Sequence, residues 1–139
     1  MDKILICGYR DWSYKLYLKL KSYDYDVVYV DDKDFLNLTI NDLKPKLIFF
    51  IGWSWLVKQD IINNYKCICL HPSPLPKYRG GSPIQNQIIR GEKDSAVTLF
   101  IMDEGIDTGD IILQKDLLLS GNNRVRFQKL SNLKSLTRL

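Results

Sequence analysis

Residues 69–82 read Cys69-Leu-His-Pro-Ser-Pro-Leu-Pro-Lys-Tyr-Arg-Gly-Gly-Ser82. The stretch holds the only histidine of the chain, three of its five prolines and the pair Gly80-Gly81. Prolines fix φ and glycines free it, so this density of both specifies one irregular backbone instead of a helix or a strand. An apolar run precedes it, and open α/β sheets bind ligands at the carboxyl ends of their strands. We therefore predict a rigid functional loop at a strand end.

Short apolar runs alternate with helical patterns on both sides of this loop. The runs before it predict four strands, at 3–7, 26–30, 46–51 and 66–70, with helices at 11–20 and 56–64 and a helical turn at 40–43. The sequence after it predicts a helix from Pro83 to Arg90 and two strands, at 96–102 and 110–118. Strands that alternate with crossover helices predict an α/β fold with a mainly parallel sheet flanked by helices.

Length and composition are those of one globular domain. The 139 residues are 45% hydrophobic and 26% charged, which excludes disorder of the chain as a whole. We find no apolar run of about 18 residues and no signal-peptide pattern, so we expect no membrane partner. Three cysteines make a poor disulfide framework. We therefore expect a cytoplasmic protein, and a homodimer is compatible with these features.

The net charge of +4 is concentrated near the C-terminus. Residues 117–139 contain five basic residues and no acid, and the spacing of Phe127, Leu130 and Leu133 predicts a helix from Asn123. A basic tail can contact phosphate, but a solvated helix face is the simpler explanation. We therefore do not expect nucleic acid as a partner.

His71 is the natural candidate for a general base, because imidazole titrates near neutral pH. Asp107 lies between Gly105 and Gly109 on a tight connection and could orient that imidazole or accept its proton. A lone histidine is as often a structural residue. The neighbouring acids Asp103, Glu104 and Asp110 compete with Asp107 for the role, although simple solvation also explains them.

Several other side chains could bind a metal, an anion or a flat ring. Cys67, Cys69 and His71 alternate along one strand and would share a face, yet there is no second histidine and a structural zinc needs four ligands, so we expect no metal. Lys77 and Arg79 could receive an anionic group, or they could be merely exposed. The aromatic side chains that could wall a pocket, or pack in the core, are Trp53, Trp55 and Tyr78.

Two motifs together resemble a known family. They are His71-Pro-Ser-Pro-Leu-Pro-Lys-Tyr-Arg-Gly80, followed by Ser82-Pro-Ile-Gln85, and Gly105-Ile-Asp-Thr-Gly-Asp110. In this order they resemble the formyltransferases that use 10-formyltetrahydrofolate, which include methionyl-tRNA and sugar N-formyltransferases. The resemblance implies a Rossmann-like fold, C-terminally short, with residues 1–120 as the catalytic domain and residues 121–139 as a basic helix or tail packed on it.

The resemblance also implies a reaction and residue roles. The family transfers a formyl group from 10-formyltetrahydrofolate, its co-substrate, to an amine. His71 would take part in removing the amine proton, and Asp107 would keep His71 in the right protonation state. Cys69 stands where the family has an asparagine. The residues implied to contact the folate are Ile51, Gly52, Trp53, Leu75, Asp103 and Gly105. Those implied to contact the amine substrate are Ser73, Lys77, Tyr78, Arg79 and Gly80.

Three functions stay open at this point. The turns at Gly8–Trp12 and Gly52–Trp55 resemble the sugar-modifying branch, so our first expectation is transfer to a small amine, such as an amino sugar carried on a nucleotide. The alternative is a shortened domain of reduced activity that binds folate or a partner, because a thiol at Cys69 is a weaker donor than an amide. The third is transfer to methionyl-tRNA.

Overall fold

The computed structural model describes residues 2–119 and 125–127, which form a seven-stranded sheet flanked by helices. The strands are β1 (Lys3–Cys7), β2 (Asp26–Val30), β3 (Leu47–Ile51), β4 (Lys66–His71), β5 (Asp94–Ile101), β6 (Ile111–Leu119) and β7 (Val125–Phe127). The helices are α1 (Asp11–Ser22), α2 (Leu36–Leu43), α3 (Gln59–Asn64) and α4 (Pro83–Ile89), with a 3₁₀ turn at Lys33–Phe35. The spatial order is β2-β1-β3-β4-β5-β6-β7.

The first four strands are parallel, and they form the half of the sheet that positions the site. Strand β3 reads Leu-Ile-Phe-Phe-Ile and is buried at every position, as expected for a central parallel strand covered on both faces. It pairs with β1 on one side and with β4 on the other. The chain passes from β1 to β2 toward one edge of the sheet and from β3 to β4 toward the other edge. The direction in which strands are added therefore reverses between β1 and β3. Ligands bind at such a reversal in open α/β sheets.

The last three strands are antiparallel, so the sheet is mixed. The Rossmann-like α/β fold is confirmed, while the parallel part ends at β4. For β5 and β6 the reason is connection length, because a parallel neighbour needs a crossover of a dozen residues or more. The segment between β5 and β6 covers only 102–110 and returns the chain beside itself.

Helices cover both faces of the sheet. On one face, α1 and α4 pack on a core through Leu20, Ile84 and Ile88. On the other face, α2 and α3 pack through Leu36 and Ile61 on a second core, which holds alternate residues of β1, β3 and β4: Cys7, Phe50, Cys67 and the partly buried Cys69. The predicted sharing of one face by Cys67 and Cys69 is confirmed.

Three predicted elements differ from the structure. The helical turn at 40–43 is the end of the longer α2, and the helix predicted at 56–64 begins only at Gln59, as α3. The predicted helix from Asn123 is wrong at 125–127, where the backbone pairs with β6 as β7. The rest of the predicted basic tail lies outside the described residues. Among the residues described, no helix has the length and apolarity to cross a bilayer.

Candidate active site

His71 is the last residue of β4 and is only 6% exposed. Its Nε2 atom lies 2.7 Å from the main-chain oxygen of Tyr78, on the proline loop that follows. Its Nδ1 atom lies 3.5 Å from Oδ2 of Asp107, on the segment between β5 and β6. Both ring nitrogens therefore face fixed oxygen atoms.

Asp107 is held as firmly as the imidazole. Its Oδ2 atom accepts a hydrogen bond of 2.8 Å from the main-chain N–H of Gly80, and its backbone is left-handed with a φ of 56°. Asp103, Glu104 and Asp110 are exposed, and within the described residues Asp107 is the acid placed against His71. The structure thus brings together the two groups that the sequence predicts as partners.

Cys69 lies two residues before His71 on β4. Burial raises the pKa of its thiol to about 12, and the negative charge of Asp107 adds to the effect. The thiol is therefore neutral at ordinary pH, and its Sγ lies 3.8 Å from the carbonyl oxygen of Leu70 as a weak donor. Cys69 adds neither charge nor a strong donor to the site.

The segment between β5 and β6 is shaped by Asp103. Its Oδ1 atom accepts hydrogen bonds from the N–H of Gly105 at 2.8 Å and from the hydroxyl of Thr108 at 2.7 Å, and these bonds lower the pKa of the carboxyl. A Cβ on Gly105 would collide with Thr108, and one on Gly109 would collide with the carbonyl of Ile101. The glycines therefore permit the tight fold that carries Asp107. Asp103 itself is engaged within the segment.

A buried polar network that sequence reasoning missed anchors the proline loop. Thr98 of β5 is fully buried; its hydroxyl donates to the carbonyl of Ser73 at 2.7 Å and accepts from the N–H of Leu75 at 3.3 Å. Gln114 of β6 donates to that same hydroxyl at 2.9 Å and to the carbonyl of Leu75 at 3.1 Å. The only signal in the sequence is a threonine inside the apolar run of β5.

A second buried amide closes the network from the helix side. Gln87 of α4 is fully buried and donates to the carbonyls of Pro72 and Pro83, each at 2.9 Å, while its Oε1 accepts from the hydroxyl of Ser95. No described buried side-chain nitrogen or oxygen lacks a partner. Because buried polar groups are costly when unpaired, this network specifies one loop conformation.

The predicted substrate contacts divide into two groups. Ser73 is fully buried, and its hydroxyl donates to the carbonyl of Lys77 at 2.7 Å, so in this structure its side chain holds the loop. Lys77 and Arg79 are exposed, whereas Tyr78 and Gly80 are half-buried beside the His71–Asp107 pair.

The predicted folate contacts also divide. Ile51 and Leu75 are buried, and both main-chain polar groups of Leu75 are engaged by Thr98 and Gln114, so Leu75 serves the loop. Gly52 and Trp53 are half-buried and follow β3, which pairs with β4 up to Leu70. They therefore flank His71. Gly52 is left-handed at a φ of 66°, and a Cβ there would meet Arg10.

An aromatic cluster lies at the reversal point between β1 and β3. The rings of Trp53 and Trp55 are 4.7 Å apart edge-on, and Tyr9, which follows β1, lies 5.0 Å from Trp55. The hydroxyls of Tyr9 and Ser54 share a hydrogen bond of 2.6 Å, and the guanidinium of the exposed Arg10 lies 5.0 Å from the Tyr9 ring. Half-buried rings beside a cation suit a planar, anionic ligand.

No metal centre joins this arrangement in the part of the chain that the structure describes. Over those residues, no group of three or more His, Cys, Asp or Glu side chains is placed to hold an ion. The three described cysteines are free thiols. The groups that the structure does place together are an imidazole and a carboxylate, which can exchange a proton, and the main-chain N–H of Gly80.

Several known proteins are similar to this chain in sequence and in fold. The family model described as "Formyl transferase" matches residues 18–125. A methionyl-tRNA formyltransferase of Pelotomaculum thermopropionicum is 41% identical over 93 residues, which are 66% of this chain and 29% of that protein. The solved methionyl-tRNA formyltransferase of Clostridium thermocellum superposes with a TM-score of 0.81 at 36% identity, over 87% of this chain and 55% of that one.

A more distant structure carries ligands. The formyltransferase PseJ of Anoxybacillus kamchatkensis, solved in complex with UDP-4,6-dideoxy-4-formamido-L-AltNAc and tetrahydrofolate, has a TM-score of 0.66 at 27% identity. That match covers 98% of this chain and 67% of the other. The present chain spans about a third or less of the length of the curated relatives it matches.

Proposed function

Since this chain belongs to the formyl transferase family, whose model matches 18–125, we propose that it transfers a formyl group from 10-formyltetrahydrofolate to a primary amine. The observation that carries the proposal is the contact between His71 and Asp107, 3.5 Å apart and each fixed by a main-chain partner. A base held against a carboxylate is the arrangement that amine acylation needs, because the attacking nitrogen must lose a proton.

The folate supplies a formyl carbon that an amine can attack and a nitrogen that leaves with a proton. The chain supplies the side chains that accept the proton and return it. His71 accepts the proton of the attacking amine, and the adjacent carboxylate of Asp107 stabilises the imidazolium that results. His71 can then return the proton to the leaving nitrogen, which balances the exchange.

The half-buried Trp53 and the left-handed Gly52 beside His71 fit the planar ring of a folate. An aromatic side chain gives contact area to a flat heterocycle. We assign the folate to Gly52, Trp53 and the exposed segment from Asp103 to Gly105, and we leave out Leu75, whose polar groups are engaged in the loop.

For the acceptor we propose an amino sugar carried on a nucleotide. Tyr9 and Trp55 of the aromatic cluster offer rings to a base, and the exposed Arg10 offers a guanidinium to phosphate. PseJ, similar over nearly the whole chain, was solved with a UDP-linked formamido sugar, which supports the same class of acceptor here.

The test is to incubate the protein with 10-formyltetrahydrofolate and a panel of nucleotide-linked amino sugars. We expect tetrahydrofolate to be released only when an amine is present, together with a product heavier by one formyl group in the mass spectrum. The matched controls are His71→Ala and, far from the site, Tyr23→Phe. Folate binding without release, whatever the amine, would instead favour a domain that binds folate and does not transfer the formyl group.

A second candidate is transfer to methionyl-tRNA. The observation that favours it is that the relatives of 38–42% identity are named methionyl-tRNA formyltransferases, which counts against our expectation that nucleic acid is not a partner. Methionyl-tRNA therefore belongs in the acceptor panel. Formylation of it that falls steeply with salt would favour this candidate, because phosphate contacts release counterions.

A further inference from the structure

We propose that Tyr78 is a positioning residue for His71. Its side chain is held by Glu92 and Arg90, and this fixes the main-chain carbonyl that decides which imidazole nitrogen exchanges protons. The catalytic consequence rests on the proposed function, in which His71 is the base. The structural part does not, because it concerns the resting protein alone.

The carbonyl of Tyr78 lies 2.7 Å from Nε2 of His71. A carbonyl oxygen only accepts hydrogen bonds, and its contact with Nε2 is much shorter than the 3.5 Å between Nδ1 and Oδ2 of Asp107, so the neutral ring carries its proton on Nε2. Nδ1 then faces the carboxylate of Asp107 without a proton, and a proton that it takes up is stabilised by that charge. Nδ1 is therefore the nitrogen that gains and loses the proton, on the side where Asp107 can stabilise it.

The backbone that presents this carbonyl is unusual. Tyr78 is left-handed with a φ of 59°, a conformation that L residues avoid unless their surroundings impose it. The neighbouring peptide groups are fixed, because the carbonyl of Lys77 accepts from Ser73 at 2.7 Å and the N–H of Gly80 donates to Asp107 at 2.8 Å. The backbone from Lys77 to Gly80 therefore holds both His71 and Asp107 in place.

The side chain of Tyr78 connects this stretch of backbone to the residues that follow α4. Its hydroxyl donates to Oε1 of Glu92 at 3.1 Å, and the guanidinium of Arg90 lies 5.6 Å from the ring centroid. The N–H of Glu92 donates to the carbonyl of Gln87 at 3.0 Å, and the buried amide of Gln87 in turn holds the carbonyl of Pro72, next to His71. The phenol hydroxyl of Tyr78 therefore completes a closed series of contacts that starts and ends at His71.

The single histidine of the chain makes a direct test available. We would label histidine with ¹⁵N and follow the ring nitrogens and the Hε2 proton by NMR. In the unaltered protein we expect a protonated Nε2 whose proton exchanges slowly with water, and a neutral ring that lacks a proton on Nδ1. A neutral ring with its proton on Nδ1 would overturn the proposal.

Two variants test the role of the side chain. Tyr78→Phe keeps the ring and removes its hydroxyl, and Glu92→Gln keeps the shape of the acceptor and weakens it. Since one net hydrogen bond is lost or weakened, we expect exchange of the Hε2 proton to accelerate about 5-fold in Tyr78→Phe and less in Glu92→Gln. In the formyl transfer assay the same variants should lower kcat by a similar factor and leave KM for the folate unchanged.

The matched control is Tyr23→Phe, which removes an exposed phenol at the end of α1 and should change neither quantity. Exchange rates equal to those of the unaltered protein in both variants would refute the role of Tyr78. Because the NMR measurement needs no acceptor, it stays decisive even if no tested amine is formylated, an outcome that would count against the proposed function alone.

Discussion

Two loops follow neighbouring strands of the sheet and are built in opposite ways. The loop after β4, residues 72–82, is anchored by buried hydrogen bonds to Thr98, Gln87 and Ser73. The loop after β3, residues 52–58, is held by the packing of Trp53 and Trp55 and by one exposed bond from Ser54 to Tyr9. Directional buried bonds fix one geometry, whereas ring contacts tolerate small shifts. We infer that the loop after β4 serves the reaction and the loop after β3 serves recognition.

The largest effect should come from His71→Ala, which removes the imidazole at the end of β4, next to the loop of residues 72–82. We expect formyl transfer to fall by about 10³-fold, because positioned acid–base groups typically contribute between about 10² and 10⁴. The rate of tetrahydrofolate release measures it, and the circular dichroism spectrum should stay unchanged. Near-full turnover in the variant would remove His71 from the mechanism.

Thr98→Val should damage the loop after β4 without touching the reacting groups. It leaves the buried N–H of Leu75 and the amide of Gln114 without their shared partner, so we expect a loss of about 3 kcal/mol in the free energy of unfolding. Urea unfolding measures the loss.

The matched control for that loss is Thr39→Val in α2, a half-buried residue whose hydroxyl makes an exposed hydrogen bond of 2.7 Å to the carbonyl of Phe35. It should cost less than about 1 kcal/mol. Equal losses in the two variants would contradict the claim that buried polar bonds distinguish the loop after β4.

Trp55→Ala should affect the loop after β3 in a different way. Loss of a stacking ring should raise KM for a nucleotide-linked acceptor about 10-fold and change kcat little, because aromatic contacts with bases contribute about 1 to 3 kcal/mol. Leu56→Ala is the control, since that side chain is 93% exposed and should leave KM unchanged. A fall in kcat with KM constant would assign Trp55 to the reaction.

The smallest expected effect is a loss of stability in alkali. Burial raises the pKa of the Cys67 and Cys69 thiols to about 12 from their ordinary value of 9.0, so as the pH rises from 8 to 9 the unfolded chain begins to ionise and the folded chain does not. The unfolded state then binds fewer protons, and for the two thiols together the free energy of unfolding should fall by about 0.7 kcal/mol over this pH unit. Urea midpoints across this range measure it, and constant midpoints would contradict the burial of both thiols.

Features of the structure that depend on nearby residues were predicted from the sequence, and features that depend on long-range neighbours were not. Strands β1 and β2 lie where predicted, because apolar runs ended by glycine or acidic residues are local signals. The pairing of His71 with Asp107 could be predicted because their chemistry and motif are local as well, and the two side chains do lie 3.5 Å apart. Thr98 and Gln114 were missed, since a buried hydrogen bond depends on which strands become neighbours. The burial of Ser73 was not predicted for the same reason, as burial is decided by the tertiary fold.

The central claim is that His71 and Asp107 act as one proton-handling pair. A double-mutant cycle of His71→Asn, Asp107→Asn and the combined variant tests it directly through the rate of formyl transfer. We predict that the combined variant is no slower than the slower single variant, because removing either group already disables the pair. Losses that simply multiply in the combined variant would show that the two side chains act independently and would contradict the account.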